Sequence, residues 1–468
     1  MAGMTTGALL DERVSTDADA RLVAIPDSLG SWFDLTAAEF SQRVRTLARG
    51  LVARGIRHGD RIGVLSANRL ETTLLDFAAG FVGAVTVPLD RRAGQSQLLR
   101  VLDDATPTAV VVETPADFAR FDELHSELPT VLSVWQLGLG DLDKIVDSGR
   151  DVPDDEFAAH LDAVTPDDAA GLLYSFDDEG APVRSTLTHG VLATRARQVA
   201  DALGEAVGPG RSVLQILPAT DPDARLVTLA ALATGTRLGH LHDRADLVET
   251  LHSFRPTLLV GHPATFAFID EAARVRAEAG GRATAFRQAH DVALEYAAAL
   301  SHGAVPMGLR TRFTLADTLV LRGLRRSVGG QVSHAVSIAG TTTLPERLRL
   351  LMRALDVRPV EGFGTAATGG LATIERVDDP FERQPGTVGA PLPGIEVDID
   401  DDGLAAFRGP GIAAGAGASE DAWLSTGLPA SIVDGRLVLE HRDFDEVGPG
   451  TASVRVPDHT GADASADF

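Results

Sequence analysis

The chain contains no cysteine. Disulfide frameworks, thiol nucleophiles and Cys-ligated zinc or iron–sulfur centres are therefore excluded. It has a single lysine, Lys144, so its 42 basic side chains are otherwise all arginine. Any mechanism that needs an ε-ammonium has only that residue to use. Positive charge is scarce as well: 66 acidic side chains leave a net charge of −24 over 468 residues. That surplus argues against a surface that wraps nucleic acid or sits on anionic lipid. Between Met1 and Arg13 no basic stretch precedes an apolar run, so no secretory signal is expected. The longest apolar window, Thr72 to Leu89, is broken by Asp76, Gly80 and Gly83 and closes around Pro88, which is wrong for a transmembrane segment. The expectation is a soluble cytoplasmic protein, with roughly two to four compact units at this length.

Several catalytic signatures are missing too. No G-x-S-x-G nucleophile elbow and no HExxH occur. His240 and His242 alternate beside Asp243, but two nitrogens without a third ligand make a poor metal site, so no metal is expected. Gly362 to Ala367 matches G-x-G-x-x-A yet follows a short Pro-interrupted stretch without a βαβ frame.

What is present is an α/β alternation. The first thirty residues read as a flexible, polar segment. Thr36 and Glu39 then form a capping box ahead of Phe40, Val44, Leu47, Leu51 and Val52 at helical spacing, and Gly55 ends that helix. Arg61–Leu65, Val85–Pro88 and Thr108–Val112 read as buried strands separated by helices over 70–82 and 95–103. The pattern resumes with strands at Val213–Leu217, Thr257–Val260 and Val332–Ile338, and helices at 223–234, 264–279 and 284–300. This texture predicts parallel sheets covered on both faces. Past Pro385 short strands at Gly394–Asp400, Leu404–Phe407 and Leu437–Glu440 suggest a β-rich lobe. The expected division is a flexible segment over 1–30, an α/β core over 31–384, a β-rich lobe over 385–442 and a disordered acidic tail over 443–468.

The most informative stretch is Leu172 to Arg184. An apolar run, a turn containing Gly180 and Pro182, and Thr188-His189 opening a helix form a frame in which phosphate-binding loops sit. Taken alone, the turn Asp177-Asp178-Glu179 reads as an acidic surface turn. Other strings change its weight: Asp34-Leu35-Thr36, Gly59-Asp60-Arg61-Ile62, Thr73 to Phe77, Ala84 to Leu89, Leu187-Thr188-His189, Ser253 to Thr257, Glu361 to Gly364, Gly386 to Gly394 and Trp423 to Gly427. In this order the chain from about Ser31 to Arg442 resembles the adenylate-forming, AMP-binding superfamily, and within it bacterial long-chain fatty-acid–CoA ligases. The resemblance implies the large N-terminal domain of that fold, with two layered sheet subdomains and a small β-rich lobe. It also implies ATP-dependent activation of a carboxylate and transfer to coenzyme A.

The residues that would carry that chemistry depart from the pattern. The phosphate loop of such enzymes, Tyr-Thr-Ser-Gly-Thr-Thr-Gly-x-Pro-Lys-Gly, aligns with Tyr174, Ser175, Phe176, Asp177, Asp178, Glu179, Gly180, Ala181, Pro182, Val183 and Arg184. A carboxylate about 4 Å from a phosphate oxygen is repelled by roughly 4 kcal/mol at an effective dielectric near 20. The loop therefore reads as unfit for ATP unless Arg184 swings in or magnesium is held by the acidic cluster. The Tyr-Gly-x-Thr-Glu motif is matched by Phe363, Gly364, Thr365, Ala366 and Ala367, so the magnesium-binding Glu is Ala367. The ribose-clamping Asp is Leu428, and an acyl-site His is Asp221. Beyond the hinge position His441-Arg442 no lysine follows, and the C-terminal lid domain is expected to be missing.

These losses all fall on one reaction while packing strings persist. The first reading is a catalytically impaired homologue that binds a fatty acid, an acyl-CoA, an active ligase paralogue or another protein, with no cofactor. Tunnel-side residues would then come from Ser253–Pro263 and Ser337–Gly340. An active ligase with a rearranged ATP and magnesium site is one alternative. Acid/base chemistry by His189, Asp221 and Asp223 is the other, if they lie within hydrogen-bond reach.

Overall fold

Short β-branched runs too apolar to face water on either side must pair inside a sheet with helices over both faces. A computed structural model places them so, and describes residues 4–27, 30–177, 179–378, 386–412 and 422–440. Near the N-terminus β1 (Arg21–Pro26) and β2 (Trp32–Thr36) form an antiparallel pair. The next six strands are β3 (Arg61–Leu65), β4 (Val85–Pro88), β5 (Ala109–Val112), β6 (Ser133–Gln136), β7 (Ala169–Phe176) and β8 (Pro182–Thr188). They build one sheet in the order β6-β5-β3-β4-β7-β8, parallel except for the edge hairpin β7–β8.

A second sheet takes β9 (Ser212–Gln215), β10 (Arg237–His240), β11 (Leu258–Gly261), β12 (His334–Ala339), β13 (Arg358–Thr365), β14 (Gly370–Ile374) and β15 (Ala390–Pro391). Its order is β15-β14-β13-β12-β11-β9-β10-β1-β2, and the strands from β13 to β1 run parallel. All six residues of β12 and all four of β5 are buried. The β-rich lobe is a four-stranded antiparallel sheet of β16 (Glu396–Ile399), β17 (Leu404–Arg408), β18 (Leu424–Val433) and β19 (Arg436–Leu439). The capping box is made as expected: Thr36 N–H donates to Glu39 Oε2 at 2.8 Å and Glu39 N–H to Thr36 Oγ1 at 3.2 Å. The helix Ala37–Ala53 that it opens buries Phe40, Val44, Leu47 and Leu51.

The flexible reading of residues 1–30 is overturned for most of that stretch. Thr5 caps a helix over Thr6–Thr16, and β1 joins the edge of the second sheet beside β10. Leu9, Leu10, Leu22 and Val23 are buried in the main core. Polar composition misled because only one narrow face of this helix is apolar, and that face meets its partners only in the folded chain. The tail expected over 443–468, and His441-Arg442 before it, lie outside the described residues. No helix among the described residues is long and apolar enough to cross a membrane.

Two glycines sit where the backbone packs closely. Gly389 has φ +86°, and a Cβ there would drive into the backbone of Ile374. A Cβ on Gly364 would lie 2.6 Å from the Leu371 amide nitrogen. No L side chain fits either position without moving a strand.

Candidate functional site

Open parallel sheets gather ligands at the carboxyl ends of their strands. In the second sheet those ends bring together residues distant in sequence. Asp221 follows β9, His262 follows β11, Ile338 is the penultimate residue of β12, and Thr365 ends β13. Asp221 caps the helix Pro222–Thr234, with Oδ1 accepting from the Asp223 amide at 2.9 Å. Its Oδ2 lies 2.5 Å from His262 Nε2, and His262 Nδ1 lies 3.0 Å from the Ile338 carbonyl. Acceptors thus face both ring nitrogens. Burial alone would lower the imidazole pKa, but the Asp221 charge and hydrogen bond, with the Ile338 carbonyl, raise it to about 9. The pairing with Asp221 thus favours the imidazolium form of His262.

Asp223 is fully buried, and its Oδ1 accepts from the Leu371 amide at 2.6 Å, tying the helix to β14. Burial first, and then the neighbouring Asp221 charge, lift its pKa to about 7. The segments Ser253–Pro263 and Ser337–Gly340 do meet, through His262 and Ile338. His262 itself was not singled out in the sequence; its only signal was the residue before Pro263 at a strand-to-helix junction.

His189 does not join this group. It is fully buried, with Nδ1 2.8 Å from Thr6 Oγ1, and burial and then the Arg225 charge hold its pKa down at about 4. The triad of His189, Asp221 and Asp223 is thereby corrected: Asp221 takes His262 as its partner. His240 and His242 also part company. The first lies 2.8 Å from Thr73 Oγ1 and the second 3.0 Å from Glu113. Among the described residues no three His, Asp or Glu side chains gather as metal ligands.

The acidic turn after β7 leads into a second strand, not directly into a helix. Asp178 lies outside the described residues. Asp177 organises the rest: its Oδ1 accepts from the amides of Glu179 at 3.1 Å and Ala181 at 2.7 Å. Its carbonyl accepts from the Gly180 amide at 2.9 Å, and its own amide donates to the Ala181 carbonyl at 3.0 Å. Gly180 supplies the left-handed corner, φ +77°. The described amides of the turn are thus already satisfied from within.

The hairpin leans on the helix Gln95–Ala105. Arg100 Nη1 donates to the Gly180 carbonyl at 2.5 Å, and the Tyr174 hydroxyl donates to Asp104 Oδ2 at 2.6 Å. Arg184 faces Tyr174 across the hairpin and reaches the same Asp104 oxygen at 3.3 Å. Ser175 pairs with Val183, and Phe176 with Pro182, in the antiparallel register. Phe363 is buried at the end of β13, stacked 5.3 Å from Phe407. Thr365 is engaged with Thr368, whose hydroxyl donates to the Gly370 carbonyl at 2.9 Å. Ala366 and Ala367 form the turn beyond it and have no side-chain ligand atoms. Leu428 lies on β18, partly buried against the core.

Comparison with known proteins puts this geometry in context. The family described as AMP-binding enzyme matches residues 10–414. The chain is 32% identical over 425 residues to the long-chain-fatty-acid–CoA ligase FadD15 of Mycobacterium bovis, covering 88% of this chain and 70% of that protein. The same figures hold for FadD15 of Mycobacterium tuberculosis. Among solved structures, VinN in complex with L-aspartate superimposes with a TM-score of 0.69 at 20% identity, covering 94% of this chain and 99% of that one. The N-terminal domain of FACL13 from Mycobacterium tuberculosis gives 0.66 at 18% identity, covering 94% and 100%. These two likenesses show the fold. The chain belongs to the AMP-binding enzyme family, among the relatives of long-chain fatty-acid–CoA ligases.

Proposed function

We propose that this protein is a catalytically impaired member of that family, which holds a long-chain acyl ligand without adenylating it. The observation that carries the reading is the self-satisfied turn at Asp177. A phosphate loop binds anions by presenting free backbone N–H groups and positive charge. Here the Glu179 and Ala181 amides already donate to a carboxylate, so a polyphosphate would have to displace an anion covalently tethered to the turn. Val183 stands where the resemblance places a lysine, and Arg184 is engaged with Asp104.

The residues that the resemblance assigns to magnesium and ribose do not fit Mg·ATP either. Ala367 offers no oxygen ligand for a hard cation, and Leu428 no acceptor for a ribose hydroxyl. Relatives' names supply the acyl class: both FadD15 proteins are long-chain-fatty-acid–CoA ligases. A protein partner bound in place of, or together with, the acyl ligand is compatible with the same losses.

The test is ATP–pyrophosphate exchange with fatty acids of graded chain length in magnesium and in manganese, alongside calorimetric titration with Mg·ATP, AMP, fatty acid and acyl-CoA. The expected result is no exchange and no nucleotide heat, with saturable binding of a long acyl chain. Exchange that Asp177→Ala abolishes would instead establish an active ligase with a rearranged site.

A further inference from the structure

The helices Ala37–Ala53 and Asp154–Asp162 leave a trough of about 610 Å³ between them, lined also by Val14 of the N-terminal helix. One wall is formed by Ala38, Ser41, Gln42, Arg45, Thr46 and Arg49. The other is formed by Asp154, Phe157, Ala158 and Leu161. Both sets recur at i, i+3, i+4 and i+7, so each is a single helix face. The longer wall runs about 16 Å at 1.5 Å per residue, room for about three turns of a helical guest.

The polar side chains inside the trough are already engaged. Arg45 Nη2 pairs with Asp11 at 2.5 Å, and its guanidinium lies 4.7 Å over the Phe81 ring. Arg49 Nη2 pairs with Asp154 at 2.7 Å and lies 4.8 Å over Phe157. Thr46 spends its hydroxyl on the Gln42 carbonyl at 2.7 Å. What the arginines offer a guest is their aliphatic stems, beside Val14, Ala158 and Leu161. The rim has the opposite character. Asp155 and Asp162 stand seven residues apart on the second helix, and Asp151 precedes it. At Ala38 the amide donates to the Ala18 carbonyl at 3.0 Å, which sets the turn bearing Asp17 and Asp19 beside the trough. All five carboxylates are exposed, and none is in an ion pair among the described residues.

We infer that this trough docks a basic amphipathic helix of a protein partner, its apolar face laid between the two helices and its lysines or arginines meeting the acidic rim. Two adjoining helix faces with small residues at Ala38, Ser41 and Ala158 form the kind of groove into which a third helix packs. Charge selects the guest. The free carboxylates of the rim call for a cationic flank, and the net charge of −24 steers a basic partner towards the chain. A second copy of this chain would bring acid against acid. No residue of the trough belongs to the strand-end site, so the docking stands apart from the acyl and nucleotide reading.

The experiment is fluorescence anisotropy of the full chain with a labelled peptide of about 18 residues, five helical turns, bearing leucine at i, i+3, i+4 and i+7 and lysine on its flanks. A scrambled peptide of the same composition, which has the charge but no apolar face, should bind at least about tenfold more weakly. Ala158→Trp and Thr46→Trp fill the trough from exposed positions on opposite walls, and each should lower binding at least about tenfold. Asp155→Asn with Asp162→Asn should lower it about fivefold, and added salt should weaken it further. Hydrogen exchange with the peptide bound should slow over 38–49 and 154–161. The inference is overturned if the scrambled peptide binds equally, if the filled variants bind as the wild type does, or if protection falls elsewhere. It is equally overturned if the tryptophan variants instead dissolve a dimer in sedimentation velocity.

Discussion

His262 Nε2 lies 2.5 Å from Asp221 Oδ2, although the two residues sit on different strand-to-helix junctions of the same sheet. Asp221→Asn should remove the charge that sustains the imidazolium, and the His262 titration followed by NMR should move well below its wild-type midpoint of about 9. The sign for stability follows from linkage. The folded-state pKa is raised above the unfolded value of about 6.5, so the contribution is fully present below that pH and is lost as pH rises through about 9. Thermal midpoints between pH 6 and 10 should fall more steeply for the wild type than for Asp221→Asn. Parallel curves would remove the ion pair from the account.

His189 carries the opposite sign. Its folded pKa is depressed to about 4, so its contribution is present above about pH 6.5 and is lost as pH falls through 4. For a fully buried ring this amounts to at most about 3 kcal/mol. Urea midpoints at pH 7 and pH 4.5 should separate strongly in the wild type and less in His189→Gln. Thr6 hydrogen bonding to the ring makes the N-terminal helix the first element expected to loosen in acid.

The acidic turn can be probed locally. Asp177→Ala removes the acceptor of two amides and should cost about 1–2 kcal/mol. Hydrogen exchange at Glu179 and Ala181 should accelerate, while the β7–β8 ladder stays protected. Unchanged exchange at those amides would mean the carboxylate does not hold them.

Arg349 and Glu361 form an ion pair in which both side chains are almost completely shielded from solvent. Removing one partner strands the other charge, and Arg349→Met should cost about 3–5 kcal/mol. Replacing both, Arg349→Met with Glu361→Leu, should be less harmful than the sum of the single changes, as a double-mutant cycle in urea would reveal. Additive losses would show the two to be uncoupled.

Much of the scaffold was legible before any coordinates. The Thr36–Glu39 capping box, the strand Arg61–Leu65 and the helices around 70–82, 223–234 and 264–279 rest on spacing within one segment, where side chains three or four apart are neighbours whatever the rest of the chain does. The identity of the residues at 177, 183, 367 and 428 was equally fixed, and with it which side chains stand at the positions that the resemblance assigns to the phosphate loop, magnesium and ribose.

Tertiary structure alone decided which side chains meet. Asp221 acquires His262 and not His189 because β9 and β11 are neighbours in a parallel sheet, a pairing that no local pattern encodes. The N-terminal residues become core, not a loose segment, because β10 offers β1 an edge. Local sequence sets which elements form; the long-range packing of those elements sets which charges are buried, which are paired and which face outward.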